Sequence, residues 1–152
     1  MALLEAVPEA TELDWRVLAT DISETILPRA RAGTYPASAV AALPPTARDR
    51  WFGPAADGPL GSLRVVPALA LLVAFRRLNL AGDWPMRRAF DAILCRNVSI
   101  SFDAATQARL SMRLADRLAP RDQLMIGHSE RVSGPAERLL HLVGTRRYAS
   151  AA

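Results

Sequence analysis

The chain has 152 residues, of which 51% are hydrophobic and 22% charged, which predicts one folded domain and excludes a disordered protein. No apolar run approaches the ~20 residues that span a bilayer, and residues 1–5 lack the basic start of a secretory signal. The single cysteine excludes an internal disulfide framework. We therefore expect a cytoplasmic protein without direct membrane insertion.

The net charge of +4 comes from arginine alone, because the sequence contains no lysine. The arginines are spread from Arg16 to Arg147, never more than two in a row. Nucleic-acid binders instead cluster basic residues with aromatic residues between them. The spacing favours a solvated surface, so we expect no nucleic-acid partner.

The first third of the chain predicts a helix, a strand and a second helix. Residues 1–10 have helical apolar spacing, and residues 15–20 (WRVLAT) form an apolar strand that ends at Asp21. Helical spacing resumes over residues 22–32, and Gly33 is a natural stop.

The middle of the chain consists of short apolar runs separated by proline and glycine. They predict helical turns at residues 38–43 and 46–52, a loop at residues 53–62, and strands at residues 63–66 and 71–78. A small antiparallel hairpin formed by these two strands is the simplest interpretation.

The last third alternates strands with a helix. The predicted elements are a strand at residues 90–97, a helix at residues 103–118, a strand at residues 123–127, and a hairpin at residues 139–143 and 145–149. Asp103 is a good N-cap, and Leu110, Leu114 and Leu118 form one stripe of the helix. The whole alternation predicts an α/β fold with parallel central strands.

Polar residues follow three of the predicted strands, and ligands of parallel sheets bind at the carboxyl ends of strands. Asp21 can accept hydrogen bonds from ribose hydroxyls or can cap the helix that follows it. Asn97 can bind an adenine edge or an amino-acid group, or can be a turn residue. Asn79 is the third such strand end.

The sequence contains no pattern for a metal site or for a nucleophilic triad. Cys95 is best interpreted as a small buried hydrophobe, with a reactive role as the alternative. His128 and His141, with one cysteine, do not match a metal-ligand pattern, and His128 belongs to the turn GHSE.

Six segments follow one another along the chain: ATDIS (19–23), RARAGTYP (29–36), FRRLNL (75–80), FDAILCRNVSISFD (90–103), TQARL (106–110) and IGHSE (126–130). In this order they resemble the S-adenosylmethionine-binding domain of the CheR-type chemotaxis receptor glutamate methyltransferases. The resemblance implies a Rossmann-like class I methyltransferase sheet over residues 1–152, with a small antiparallel β-subdomain inserted at about residues 50–73.

The resemblance also implies the cofactor, the site and the partners. S-adenosylmethionine is contacted through its ribose by Asp21, while Asn79 and Leu80, with Asn97 and Val98, line its adenosine and methionine ends. The methyl group goes to glutamates on the cytoplasmic helices of chemoreceptors, and the β-subdomain of some members docks a receptor C-terminal tail. Because a glutamate carboxylate is already ionised at neutral pH, alignment can suffice without a general base.

The sequence departs from the family by lacking a glycine-containing cofactor loop and the first strand of the sheet, so the domain is expected to be incomplete and truncated at its N-terminus. The missing strand would lie between the strands that end at Asp21 and Asn97. Ser101 stands where the family usually has an aromatic residue. We therefore expect impaired cofactor binding, with a receptor-tail-binding module or a nonfunctional remnant as alternatives.

Overall fold

The computed structural model describes residues 1–7 and 12–150 of a mixed α/β chain. The chain divides into two compact units, Met1–Asn79 and Leu80–Ala152. In the described part of the chain, no helix is both long enough and apolar enough to cross a membrane.

The first unit contains five short helices and five strands among its described residues. The helices are α1 (Ala2–Ala6), α2 (Ile26–Ala32), α3 (Ala37–Val40), α4 (Pro45–Trp51) and α5 (Pro67–Ala70). The strands are β1 (Val17–Asp21), β2 (Thr34–Pro36), β3 (Phe52–Pro54), β4 (Ser62–Val65) and β5 (Val73–Arg77).

The strands of the first unit form two separate sheets. β1 and β5 pair in parallel, from Val17 opposite Val73 to Asp21 opposite Arg77. β2, β4 and β3 form an antiparallel sheet in that order. β2 supplies an outer strand of this sheet from residues well before the predicted range of about 50–73.

The predicted hairpin between residues 63–66 and 71–78 is wrong. The first of these runs lies in the antiparallel sheet as β4, and the second lies beside β1 as β5. Between them Pro67 begins the helical turn α5, in place of a tight strand-to-strand turn. Proline suits the first position of a helix because its φ angle is preset and its missing N–H is not needed there.

A small core of Leu4, Trp51 and Leu72 joins α1, α4 and the segment before β5. The Trp51 indole Nε1 donates a hydrogen bond to Glu5 Oε1 at 3.0 Å, so the polar end of a buried ring has its partner. The predicted helix at residues 1–10 is therefore confirmed over Ala2–Ala6, and residues 8–11 lie outside the described residues.

The second predicted helix begins later than its apolar pattern suggests. α2 begins at Ile26, because residues 21–25 form turns closed by the side chains of Asp21 and Ser23. Gly33 ends the helix in a left-handed conformation with φ 61°, as predicted.

The second unit has one main helix and four strands among its described residues. They are β6 (Phe90–Cys95), α6 (Ala104–Ala115), β7 (Leu118–Ile126), β8 (Leu140–Gly144) and β9 (Arg147–Ser150), with 3₁₀ turns at Ser99–Ser101 and Gly134–Arg138. The sheet order is β6-β7-β9-β8. β6 and β7 are parallel, whereas β8 and β9 form the predicted antiparallel hairpin.

Helix α6 has the predicted N-cap, since Asp103 Oδ1 accepts a hydrogen bond from Thr106 N at 2.7 Å. Leu110 and Leu114 are buried and belong to the same core cluster as Leu124, which is 1% exposed. Leu118 does not continue the helical stripe as predicted, because the helix ends at Ala115 and Leu118 begins β7.

The two parallel strand pairs belong to different sheets in the described residues. Among the strands that the structure describes, β1 is paired with β5 alone, and β6 is paired with β7 alone. Parallel pairing is therefore observed within each pair, and in the described part of the chain β1 and β6 each have a strand neighbour on one side only.

Candidate functional site

In the first unit, Asp21 closes the turn that follows β1. Its Oδ1 accepts a hydrogen bond from Ser23 N at 2.7 Å, and its carbonyl oxygen accepts one from Leu78 N at 3.0 Å. The N-cap of α2 is Thr25, so Asp21 is not the cap of this helix. The second carboxylate oxygen of Asp21 is the atom with which this half-buried residue can accept a hydrogen bond from a ligand hydroxyl.

The second strand end of this region follows β5. Asn79 is exposed, has an interaction partner, and is the last residue of the first unit. Leu80 begins the second unit, and its side chain packs against that unit's core. The Leu80 carbonyl accepts hydrogen bonds at 3.2 Å from Trp84 Nε1 and from Arg113 Nη1. The backbone at Leu80 is thus fixed by the residues of its own unit.

The turn after β6 carries Asn97 and Val98. Asn97 has φ 60°, a left-handed backbone conformation that asparagine tolerates better than most residues. Its side chain is exposed, and within the described residues no hydrogen bond to the Asn97 carboxamide is formed. Val98 is half-buried and packs against the core. The turn therefore presents one polar group and one apolar group side by side.

The carboxylate of Glu130 holds this turn from one side. Its Oε1 accepts hydrogen bonds from Val98 N, Ser99 N and Ser99 Oγ at 2.8, 2.8 and 2.9 Å. Its Oε2 accepts from Asn97 N at 2.8 Å and from Gly127 N at 2.6 Å. Glu130 is only 3% exposed, so five donors compensate a charge that is almost fully removed from water.

The hydrogen bonds set the protonation of this group. Burial raises the pKa of the Glu130 carboxyl, but the backbone N–H groups of Ser99, Asn97, Gly127 and Val98 outweigh it, and the pKa lies below its ordinary value. Glu130 is therefore an anion at neutral pH.

Helix α6 holds the same turn from the other side. Gln107 Nε2 donates hydrogen bonds at 3.0 Å to the carbonyl oxygens of Ser99 and Phe102. The backbone N–H groups of the turn thus face Glu130, while two of its carbonyl groups face Gln107. The turn after β6 is fixed by side chains from two other elements.

Cys95, the last residue of β6, is buried as predicted. Burial, followed by the nearby charge of Glu130, raises the pKa of its thiol to about 11. The thiol is therefore protonated at neutral pH and is a poor nucleophile. No group of His, Cys, Asp and Glu in the described residues is arranged to hold a metal ion.

Two grooves, one in each unit, are not lined by the predicted residues, although Trp84 and Arg113 of the second groove donate hydrogen bonds to the Leu80 carbonyl. An open groove of about 870 Å³ in the first unit is lined by apolar residues such as Val40, Val65 and Phe75, and not by Asp21 or Asn79. A smaller polar pocket of about 340 Å³ in the second unit is lined by Asp83, Trp84, Arg113, Asp116 and Arg117. Three of the five predicted residues belong to the second unit and two to the first.

Sequence reasoning missed Glu130 and Gln107. Glu130 lies in IGHSE and Gln107 in TQARL, two of the segments that carry the resemblance to the family. Their position in these segments was the sequence signal that could have identified them. The contacts of Glu130 with the turn after β6 could not be inferred, because Glu130 is 31 to 33 residues away from the residues of this turn that donate hydrogen bonds to it. Gln107 was missed although it lies only 8 and 5 residues from Ser99 and Phe102.

Parallel strands that end in polar turns are typical of α/β proteins that bind nucleotide-like cofactors. The sequence matches the family described as "CheR methyltransferase, SAM binding domain" over residues 1–149. The chain belongs to this family, whose domain identifies S-adenosylmethionine as the cofactor.

Curated relatives agree with the family. The chain is 38% identical to the "Probable chemotaxis protein methyltransferase" of Rhizobium etli over 97% of this chain and 55% of that protein. It is 38% identical to "Chemotaxis protein methyltransferase 2" of Pseudomonas aeruginosa (90% and 49% covered) and 39% identical to the "Chemotaxis protein methyltransferase" of Escherichia coli (89% and 47%). The chain thus spans about half the length of these relatives.

The residues of both units suit parts of such a cofactor. The Asp21 carboxylate is an acceptor of the kind that ribose hydroxyls need, and the exposed Asn97 carboxamide beside Val98 offers a donor, an acceptor and an apolar surface. Taken singly, each of these groups is of a kind that can bond or contact a part of S-adenosylmethionine.

Proposed function

We propose that this chain contributes cofactor contacts to an S-adenosylmethionine-dependent methyltransferase that modifies glutamate side chains on the cytoplasmic helices of chemoreceptors. The observation that carries the proposal is the built turn at Asn97 and Val98, at the carboxyl end of a parallel strand, in a chain of this family. The chain would act in the cytoplasm, within a Rossmann-like class I methyltransferase sheet.

The residues of the chain have separate tasks in this proposal. Asp21 accepts hydrogen bonds from the ribose, whereas Asn79 and Asn97 hydrogen-bond the polar ends of the cofactor. Leu80 and Val98 supply apolar contact. S-adenosylmethionine itself supplies an activated methyl group, and the receptor glutamate is ionised at neutral pH, so this chain need not provide a general base.

Cofactor binding by the 152-residue chain alone is expected to be weak. The sequence contains no glycine-containing loop of the kind that lets a backbone approach a cofactor closely. The turn after β6, which carries Asn97, supports residual binding, because its shape does not depend on a glycine-containing cofactor loop.

Titration of the ¹⁵N-labelled chain with S-adenosylhomocysteine, followed by NMR, tests the site. We expect fast-exchange shifts of the amides of Asp21, Asn97 and Val98 and of the Asn97 side chain. The absence of such shifts at millimolar ligand would contradict the cofactor site. Micromolar binding to S-adenosylmethionine in a calorimeter would contradict the expected weakness.

Variants assign the binding to the predicted residues. Asp21→Ala and Asn97→Ala should each weaken binding several-fold, because each removes a hydrogen-bonding group toward the ligand. Asp49→Ala is the control, since Asp49 is an exposed carboxylate whose ion pair is with its neighbour Arg48. A cooperative thermal melt of each variant excludes a poorly folding remnant.

A second candidate function is binding of a receptor tail without catalysis. It is favoured by the small antiparallel sheet, in which β2 and β3 are outer strands. An extended peptide can add a strand to such an edge through backbone hydrogen bonds. Fluorescence anisotropy with labelled receptor C-terminal peptides tests this function, with scrambled peptides as controls; equal signals from both sets would remove it.

A further inference from the structure

The turn that follows β6 has the backbone geometry of an anion-binding site. The N–H groups of three successive residues, Asn97, Val98 and Ser99, all point to one carboxylate. Successive N–H groups that converge in this way form a concavity that favours negative charge. In this chain the anion is internal, because Glu130 occupies the concavity with both of its oxygens.

We propose that Glu130 is the positioning residue of the cofactor turn: its carboxylate fixes the Asn97–Ser99 backbone so that the Asn97 carboxamide and Val98 meet S-adenosylmethionine in a preset geometry. The inference deepens the proposed function and rests on it. Glu130 does not touch the cofactor in this proposal and acts through the residues that do.

Backbone strain explains why such an anchor is needed. Asn97 is held at φ 60°, which asparagine adopts more readily than most residues with a side chain but still at a cost that its surroundings must offset. Hydrogen bonds from its own N–H and from the next two N–H groups to Glu130 supply that restraint. Without them, the turn can relax and redirect the carboxamide.

The close approach of Gly127 to the same carboxylate gives independent support. A Cβ at this position would lie 2.5 Å from Glu130 Oε2 and 2.7 Å from Asn97 Oδ1. A side chain there must therefore displace the carboxylate, the carboxamide or both. The absence of a Cβ at Gly127 allows one glutamate to join the end of β6 to the end of β7.

Gln107 restrains the turn after β6 from the side opposite to Glu130. Gln107 binds the carbonyl groups of Ser99 and Phe102, so the turn cannot move as a body when it is released from Glu130 alone. The expected consequence of losing Glu130 is a local change of backbone conformation at Asn97 and Val98. A turn that is ordered before the ligand arrives costs less conformational entropy on binding.

The decisive variant is Glu130→Gln, which keeps the size of the side chain and removes its charge. The glutamine side chain has an NH₂ group in place of one carboxylate oxygen. This group cannot accept hydrogen bonds from the backbone N–H groups that it faces, so the hydrogen bonds to that oxygen are lost. We expect affinity for S-adenosylhomocysteine to fall about tenfold. The matched control is Glu137→Gln, an exposed glutamate in the Gly134–Arg138 turn.

A double-mutant cycle distinguishes positioning from a general structural effect. If Glu130 acts through Asn97, then Glu130→Gln combined with Asn97→Ala should weaken binding little more than Glu130→Gln alone, because the two losses overlap. In the folded Glu130→Gln variant, the Asn97 side-chain NMR signals should also lose their response to S-adenosylhomocysteine. Additive losses, or binding by Glu130→Gln equal to wild type, would overturn the positioning role.

Two further results distinguish a failure of the positioning role of Glu130 from a failure of the proposed function. If Glu130→Gln does not fold, Glu130→Asp keeps the charge but shortens the side chain by one methylene group, and the same loss of about tenfold is expected. Unchanged binding by that variant also counts against the proposal. A wild-type chain without any response to S-adenosylhomocysteine overturns the proposed function together with the cofactor role of Glu130.

Discussion

Glu130 combines almost complete burial with a full charge, an arrangement that is stable only while its donors remain in place. Glu130→Ala removes the acceptor and leaves several backbone N–H groups of the turn without partners. We expect the free energy of unfolding to fall by roughly 3–5 kcal/mol, because each buried N–H group left without its acceptor costs about 1–3 kcal/mol. Urea unfolding at pH 7 measures the loss, and a decrease within about 0.5 kcal/mol, typical of surface sites, would contradict it.

The same residue predicts a pH dependence with a definite sign. Because the pKa of Glu130 in the folded chain lies below its ordinary value of 4.5, its ionised form stabilises the fold above that value. This contribution is lost as the pH falls through the lowered pKa. The difference in unfolding free energy between wild type and Glu130→Gln should therefore be constant near neutral pH and shrink in acid; a difference that grows in acid would contradict the assignment.

Cys95 is a second side chain for which the structure makes a prediction. Its pKa of about 11 and its burial keep it protonated and inaccessible at pH 8. We expect iodoacetamide to modify the native chain far more slowly than the chain unfolded in urea. Mass spectrometry after timed labelling measures both rates, and equal rates would contradict the buried position.

At the scale of elements, α6 is held by its buried leucines. Leu114→Ala should lower the unfolding free energy by about 2–5 kcal/mol, because it removes a buried side chain and leaves a cavity. Arg109→Ala on the exposed face of the same helix is the matched control, with an expected change within about 0.5 kcal/mol. Similar losses from both variants in urea unfolding would contradict the assigned faces.

Strand β1 makes a prediction about backbone hydrogen bonds. Val17 N donates to Leu72 O at 2.8 Å, and successive N–H groups of a strand point to opposite edges. Ala19 should therefore be protected from hydrogen exchange by β5. Leu18 and Thr20 should exchange quickly, because their N–H groups point to the edge that has no strand partner among the described residues. Protection of Leu18 and Thr20 would reveal a further strand, for example from a second copy of the chain.

The helices and strands that were predicted best have strong signals in their own sequence. Helix α6 has an N-cap aspartate and a regular leucine stripe, and the β8–β9 hairpin has two short apolar runs close together. The hairpin predicted around Pro67 was wrong because short strands give no local signal for their partners. β5 pairs with β1, which is far away in sequence, and β4 pairs with the distant β2 as well as with the nearer β3, so these pairings depend on tertiary packing.

At the scale of the molecule, polar strand ends located the candidate site but not its support. Asn97 could be selected from its place after an apolar strand, whereas its left-handed backbone and its anchor Glu130 depend on the approach of β7. Whether Asp21 and Asn97 act on one cofactor was inferred from the resemblance to the family. It remains a prediction, since the two residues belong to different units.

The most direct measurement uses a chimera in which this chain replaces the 148 matched residues of the Rhizobium etli relative. Transfer of labelled methyl groups from S-adenosylmethionine to receptor glutamates is followed as base-labile esters. We predict that the chimera transfers methyl groups. Asn97→Ala should lower the rate of transfer about tenfold or more, and Glu137→Gln should leave it unchanged. A cooperatively folded chimera that transfers no methyl groups, or one in which Asn97→Ala has no effect, would contradict the proposed function.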